Sequence, residues 1–296
     1  MKRIHQFAPL NLTRAELIRF TPEWLGERFE DGRPKVPDDV LDRMAGVTLT
    51  QAWGVLHGEG YERQFEGNWV CTQPGKTLVG RAVTAVYMPR REDLRTAIFD
   101  KAQAAGCVGD QVSWPIDTLV RRDVYVADVF GKIADGAVIG DNLSTSICAK
   151  TGNGVVHDAS VRDIEGVRQL DGFVTFCRGF HPTVATWTVQ LMGINAPVRI
   201  GGVTVMPGDV VLGRGDGVIF IPPHLANKVV ATAEIIRLRD VFGQQRLREG
   251  KYTPGEIDRR WEQHIEQDFS GWLEDHLDEL PVPADTIQDF LKQRTW

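Results

Sequence analysis

Gly154-Val155-Val156-His157-Asp158-Ala159-Ser160-Val161-Arg162-Asp163-Ile164 is the stretch on which the fold turns. Its β-branched opening, Gly154 to His157, reads as a strand, and residues 164–170 read as a helix. The same alternation recurs upstream. Residues 79–87 read as a strand, and residues 91–105 as a helix with Leu94, Ile98 and Ala102 on one face. Residues 123–127 are strand-like and residues 143–150 helical. Downstream, Val203-Thr204-Val205, Val210-Val211-Leu212 and Val218-Ile219-Phe220-Ile221 are short strands. The separators between them, Pro207-Gly208-Asp209 and Gly213-Arg214-Gly215-Asp216-Gly217, have turn chemistry. Strands mixed with helices, then a strand cluster, imply a layered α/β domain.

Both ends read differently. Thr13 can cap a helix carrying Leu17, Ile18 and Phe20, and Thr21-Pro22 restarts one through Trp24, Leu25 and Phe29. Asp31 to Pro34 reads as a linker, and Pro37-Asp38-Asp39 opens a third helix through Val40, Leu41 and Met44. After Pro222-Pro223 a helix runs from about Leu225 to Leu247. Thr253-Pro254-Gly255-Glu256 is a capping-box pattern opening a helix that bears Ile257, Trp261, Ile265 and Phe269. Asp285 with Gln288 caps a last short helix. The expected division is a helical extension over 1–48, an α/β domain over 49–250 and a helical extension over 251–296.

Composition bounds the function classes. The chain has 296 residues, 34 Lys+Arg and 40 Asp+Glu, a net charge of −6. That acidity argues against a nucleic-acid partner held mainly by phosphate contacts. No apolar run approaches the roughly 18 residues of a membrane span. Residues 1–7 carry charge with no apolar stretch behind them, unlike a secretion signal. Cys71, Cys107, Cys148 and Cys177 form no CxxC, so they read as reduced, buried thiols of a cytoplasmic protein rather than a zinc site.

Two places can carry chemistry. In Gly140-Asp141-Asn142-Leu143-Ser144-Thr145 a glycine leads into a helix whose first amides suit a carboxylate or phosphate. Asp141 is either functional or simply the N-cap. In Ser160-Val161-Arg162-Asp163, Ser160 with Asp163 resembles a capping box, leaving Arg162 on a solvated face. The other reading is an Arg–Asp pair at a strand's carboxyl end, holding a divalent cation and an anionic substrate together. His157, His181 and His224 lack HxH or HxxxH spacing and read as structural, His181 being the best of them because it sits in a polar turn. Gly213–Gly217 lacks the strand–GxGxxG–helix context of a dinucleotide site. Trp261, Phe269 and Trp272 read as helix packing.

Asp141, twenty intervening residues, then Arg162-Asp163 resembles the D-x20-R-D signature of the RraA-like proteins. The likeness extends to Gly80-Arg81-Ala82-Val83-Thr84, to residues 197–209, and to Asp216-Gly217-Val218 with Pro222, about residues 75–245 in all. That superfamily includes the metal-dependent class II pyruvate aldolases acting on 4-hydroxy-4-methyl-2-oxoglutarate and 4-carboxy-4-hydroxy-2-oxoadipate. The resemblance implies a β/β/α swivelling-domain core, here with helical N- and C-terminal extensions, assembled as a homotrimer or hexamer with sites between subunits.

It further implies a lyase for 4-hydroxy-2-oxo acids that releases pyruvate. Asp163 is expected to bind Mg²⁺ or Mn²⁺, Arg162 to stabilise the enolate, and Asp141 to position the water that takes the 4-hydroxyl proton. Asn142, Leu143 and Ser144 are expected to hold the substrate carboxylate, and Glu234 or Asp240 to supply an acid to a neighbouring subunit. The chain departs from the pattern in having Ala159 after Asp158, where glycine is usual, and in about 50 extra residues at each end. The superfamily's namesake binds an RNA-degrading enzyme, so a non-catalytic regulator is the alternative. A lyase for sugar-derived 2-oxo acids is a third reading. The methyltransferase label carried by some such sequences has no glycine-rich cofactor segment to support it here.

Overall fold

The computed structural model describes residues 8–215 and 217–276, together with 280, 282 and 287. The chain divides into two compact units, Met1–Asn227 and Lys228–Trp296.

The first unit is built on β3 (Leu78–Pro89), β4 (Asp123–Lys132), β5 (Val155–Val161) and β6 (Thr175–Cys177), which lie side by side and parallel. The first ten residues of β3 and all of β5 are buried, as expected of central strands covered on both faces. Parallel neighbours require crossovers. These are supplied by α4 (Glu92–Ala104) with the short α5 (Trp114–Asp117), by α6 (Asp141–Thr151) and by α7 (Ile164–Gln169). Beyond β3 the sheet continues antiparallel through β11 (Val210–Arg214), β12 (Gly217–Ile221) and β1 (Phe65–Glu66). At the other side β2 (Val70–Cys71) pairs with β6. β7 (Gly179–Phe180) extends along β5, and β8 (Val189–Ile194) along β3. A separate hairpin joins β9 (Val198–Ile200) to β10 (Val203–Val205). The layered α/β core expected from the alternation is thus present.

The segment before the sheet packs against it. Thr13 caps α1 (Arg14–Phe20) through a capping box with Glu16, and α2 (Asp38–Met44) and α3 (Leu49–Gly58) follow. Two expectations fail here. Residues 21–29 are not a helix, because the Arg28 guanidinium takes the carbonyls of Thr21, Trp24 and Gly32, fixing a loop instead. Residues 31–34 are no linker either. Arg33 is buried and grips Asp123 with two hydrogen bonds of 2.8 and 3.1 Å.

The second unit holds most of α8 (Ala226–Arg248), with α9 (Pro254–Ile257) and α10 (Gln263–Asp275). Its core gathers Leu238, Phe242, Trp261, Phe269 and Trp272, so the aromatics at helical spacing do pack. The capping box forms, with the Thr253 amide and hydroxyl both donating to Glu256. The helix it opens ends at Ile257 rather than running through Phe269. The Trp261 indole donates to the Ile257 carbonyl, taking the acceptor that the residue 261 amide would need to continue the helix. The last helix, expected from Asp285 and Gln288, lies outside the described residues. All four cysteines are free thiols, but Cys177 alone is fully buried, the others half-buried. Among the described residues no helix is long and apolar enough to cross a membrane.

Candidate active site at the ends of two parallel strands

β4 and β5 are adjacent and parallel, so the segments leaving their carboxyl ends meet. In open α/β sheets ligands bind at such ends. The chain leaving β4 reaches Gly140 and enters α6, and the chain leaving β5 delivers Arg162 and Asp163 before α7. The Arg162 amide donates to the Ile139 carbonyl at 3.1 Å and ties the two segments together.

The contact is reciprocal. A methyl group on Gly140 would stand 2.3 Å from Asp163 Oδ2 and 3.1 Å from the Arg162 guanidinium carbon. A methyl group on Gly166 would stand 2.8 Å from the Asp141 Cβ. Each aspartate therefore packs on a glycine of the other's segment, and only a residue without Cβ permits that approach. Asp141 and the Arg162-Asp163 pair, separated by twenty residues in sequence, share one small site.

The capping readings of both aspartates are not what forms. The N-cap of α6 is Gly140, and Asp141 stands in the first turn, its Oδ1 accepting the Asn142 amide at 2.7 Å. Ser160 lies inside β5 and donates its hydroxyl to the Ile133 carbonyl, so no capping box with Asp163 exists. Asp163 precedes α7 in a left-handed conformation, φ 52° and ψ 44°, and its side chain makes no cap hydrogen bond. A non-glycine residue in that region costs about 1–2 kcal/mol. Its carboxylate instead meets Arg162 at 2.6 Å, both side chains about one third exposed.

The other expected residues are placed less uniformly. Asn142 is exposed and Leu143 half-buried at the start of α6. The Ser144 amide is committed to the Gly140 carbonyl, and its buried hydroxyl has no hydrogen bond among the described residues. Of the first-turn amides, Asn142's goes to the Asp141 carboxylate, and those of Asp141 and Leu143 have no intrahelical acceptor. Glu234 is buried in α8, whereas Asp240 is exposed, with its carboxyl pushed up by partial burial. Asp158 is buried and holds the Arg178 guanidinium and the Gly201 amide, a structural role. Ala159, where glycine was usual, is fully buried in the core. His157 is fully buried, and burial lowers its pKa to about 3, so it stays neutral. His181 Nδ1 accepts the Asp135 and Thr183 amides and orders a loop.

No group of three or more His, Cys, Asp or Glu side chains suited to a metal occurs among the described residues. The residues present nonetheless fit Mg²⁺ or Mn²⁺, which take one or two protein carboxylates and fill the remaining positions with water and substrate. Asp163, reachable by solvent and backed by Asp141 across the two glycines, is such a donor set.

Comparison with known proteins identifies the family and the fold. A Streptomyces coelicolor structure, described as RraAS2, an unusual member of the RNase ES inhibitor RraA protein family, is 26% identical with a TM-score of 0.59, covering 71% of this chain and 98% of that one. A Halalkalibacterium halodurans protein named "Putative 4-hydroxy-4-methyl-2-oxoglutarate aldolase" is 36% identical over 116 residues, 38% of this chain and 52% of that protein. Protein DlpA of Legionella pneumophila is 30% identical over 179 residues, 60% of this chain but 27% of its own length. The chain thus spans only about a quarter to a half of these two curated relatives. Residues 39–220, more than half of the chain and including Asp141, Arg162 and Asp163, match the RraA-like family Aldolase/RraA, and the chain belongs to that family.

Proposed function

We propose that the chain is a divalent-metal-dependent carbon–carbon lyase for a 4-hydroxy-2-oxo acid, cleaving it by a retro-aldol reaction that releases pyruvate. Oxaloacetate decarboxylation draws on the same enolate chemistry. One observation carries this reading: two aspartates at helix starts, neither of them capping, are wedged against glycines beside an arginine. The close approach of Asp163 to Gly140 and of Asp141 to Gly166 supports this reading, because it gathers both carboxylates and Arg162 at one solvent-reachable place.

Asp163, with Asp141 behind it, would hold Mg²⁺ or Mn²⁺, which when bound supplies Lewis-acid polarisation of the 2-oxo group. The Leu143 amide and the positive end of α6 receive the substrate carboxylate, with Asn142 and Ser144 in the same turn. Arg162, about one third exposed, presents its guanidinium to the oxyanion that forms as the C3–C4 bond breaks. Asp141 accepts, through a water, the proton leaving the 4-hydroxyl. Glu234 or Asp240 would give an acid to a neighbouring subunit of a homotrimer or hexamer in the cytoplasm. The regulator reading draws support from the name of the Streptomyces protein, 98% of which the match with this chain covers.

A pyruvate-release assay on 4-hydroxy-4-methyl-2-oxoglutarate and oxaloacetate tests the proposal. Chelation should abolish release, and Mg²⁺ or Mn²⁺ should restore it. Full activity with no metal bound contradicts the metal role. No release from any 4-hydroxy-2-oxo acid or oxaloacetate moves the regulator reading ahead.

A further inference from the structure

A cavity of about 370 Å³ opens in the first unit, far from Asp163 in the sheet. It lies between the loop at Thr21–Trp24, the turn at Met206–Asp209 and the segment Pro222–His224. Asp209 precedes β11 next to Val210, which pairs with Arg81 near the start of β3. Asp163 follows the opposite end of β5, with β3 and β4 between β5 and β11. Residues 20–24 precede the family match over 39–220 and residues 222–224 follow it. Two of the three walls therefore come from sequence outside the matched segment.

The lining combines aromatic faces with negative charge. Trp24, Phe20 and Tyr61 form apolar walls, and His224 Nε2 lies 3.5 Å from the Tyr61 hydroxyl. Two carboxylates line the space, Glu23 and Asp209, and neither lysine nor arginine does. Asp209 is only 4% exposed. One of its oxygens accepts the Met206 amide at 2.8 Å, and no hydrogen bond reaches the other among the described residues. Burial pushes its carboxyl up to about 7, which is the expense of a buried acid with no cation beside it. A carboxylate among aromatic faces is the chemistry that recognises ammonium ions, which aromatic rings attract through their negative faces. The volume is at the small end of the roughly 300–1,000 Å³ of small-molecule sites.

We propose that this cavity binds a small organic ammonium ion, its charged head against Asp209 and its apolar body against Trp24 and Tyr61. This site is independent of the lyase chemistry proposed above. A ligand cation would replace the absent arginine partner of Asp209, while an anion would meet two carboxylates.

Titration calorimetry on the full chain at pH 8, where Asp209 is ionised and an amine still protonated, tests it, with benzylamine as probe and benzyl alcohol and benzoate as controls. Benzylamine should bind one to one, at least tenfold tighter than benzyl alcohol, and benzoate should not bind. Asp209→Asn keeps an oxygen for the Met206 amide and should weaken benzylamine at least tenfold. Trp24→Ala alters a half-buried loop residue and should also weaken it, which keeps the test decisive if the Asp209 variant misfolds. Equal binding of benzylamine and benzyl alcohol, binding of benzoate, or no benzylamine heat up to about 10 mM, beyond the millimolar range of weak complexes, overturns the proposal. So does unchanged affinity in a folded Asp209→Asn or Trp24→Ala protein.

Discussion

Two arginine–aspartate pairs in this chain have the same chemistry and opposite surroundings. Arg33 and Asp123 come from positions ninety residues apart and are sealed, with side chains 2% and 0% exposed. The guanidinium grips both carboxylate oxygens, the Val120 amide adds a third hydrogen bond, and Arg81 Nε stands 3.8 Å away. Arg162 and Asp163 are sequence neighbours, 2.6 Å apart at their closest atoms, with side chains 32% and 38% exposed. The first pair has no room for a third party and fastens the N-terminal segment to β4. The second is open to solvent, sits on a strained backbone and stands at the carboxyl ends of parallel strands. Ion pairing alone therefore does not separate a scaffold pair from the proposed site; burial and backbone conformation are what differ between the two.

Breaking the buried pair should have the largest effect on stability. Asp123→Asn leaves Arg33 without the carboxylate it grips in a sealed region, and removal of one partner of such a pair costs about 3–5 kcal/mol. Denaturant unfolding should show that loss, while turnover per folded molecule stays near the parent's. A stability within about 1 kcal/mol of the parent would mean that the pair is no more than a surface contact.

At the open pair the expected effect is on rate. Arg162→Lys keeps the charge but loses the planar fork. We expect kcat/KM for the 2-oxo acid to fall about 10²-fold, the size of losing one oxyanion donor, with little change in unfolding. Parental kinetics would return Arg162 to a solvated face.

A third buried acid sharpens the contrast by having no arginine. Asp209 keeps its proton in the folded chain up to about pH 7, whereas the unfolded chain releases it near 3.8. Between those values the folded state binds more protons than the unfolded state, so this group makes stability fall as pH rises. His157 acts the other way: the unfolded chain takes up its proton near 6.5, the folded chain only near 3, so stability falls as pH drops through that window. Asp209→Asn removes only the first term. Its stability relative to the parent should therefore rise between pH 4 and pH 7, by up to about 1.4 kcal/mol per pH unit. A difference that stays flat over that range would show that Asp209 is ionised throughout in the folded protein.

The layered core was legible because β3, β4 and β5 are β-branched runs between helical periods, which report burial on both faces directly. Asp141, Arg162 and Asp163 were legible only as a pattern shared with the RraA-like proteins; residue types alone favour the reading as helix caps. What separates the readings is backbone conformation, the left-handed turn at Asp163 and the glycine cap of α6, which the identity of a residue does not encode. The loop over residues 21–29 and the break after Ile257 were missed because Arg28 and Trp261 spend side-chain donors on carbonyls that a helix would use. Arg33 with Asp123, and the cavity beside Asp209, join residues far apart in sequence, for which no local signal exists.

Asp163→Asn tests the central claim most directly. Asparagine tolerates the left-handed backbone as well as aspartate does, so the variant removes the charge and little else. Pyruvate release from 4-hydroxy-4-methyl-2-oxoglutarate and the melting temperature should be measured on the same preparation with Mg²⁺ present. The prediction is a rate lower by about 10³-fold or more, several kcal/mol of barrier, with the melting temperature within a few degrees of the parent's. Parental release with the variant folded would contradict it, and would leave the open Arg162–Asp163 pair as a feature of the fold alone.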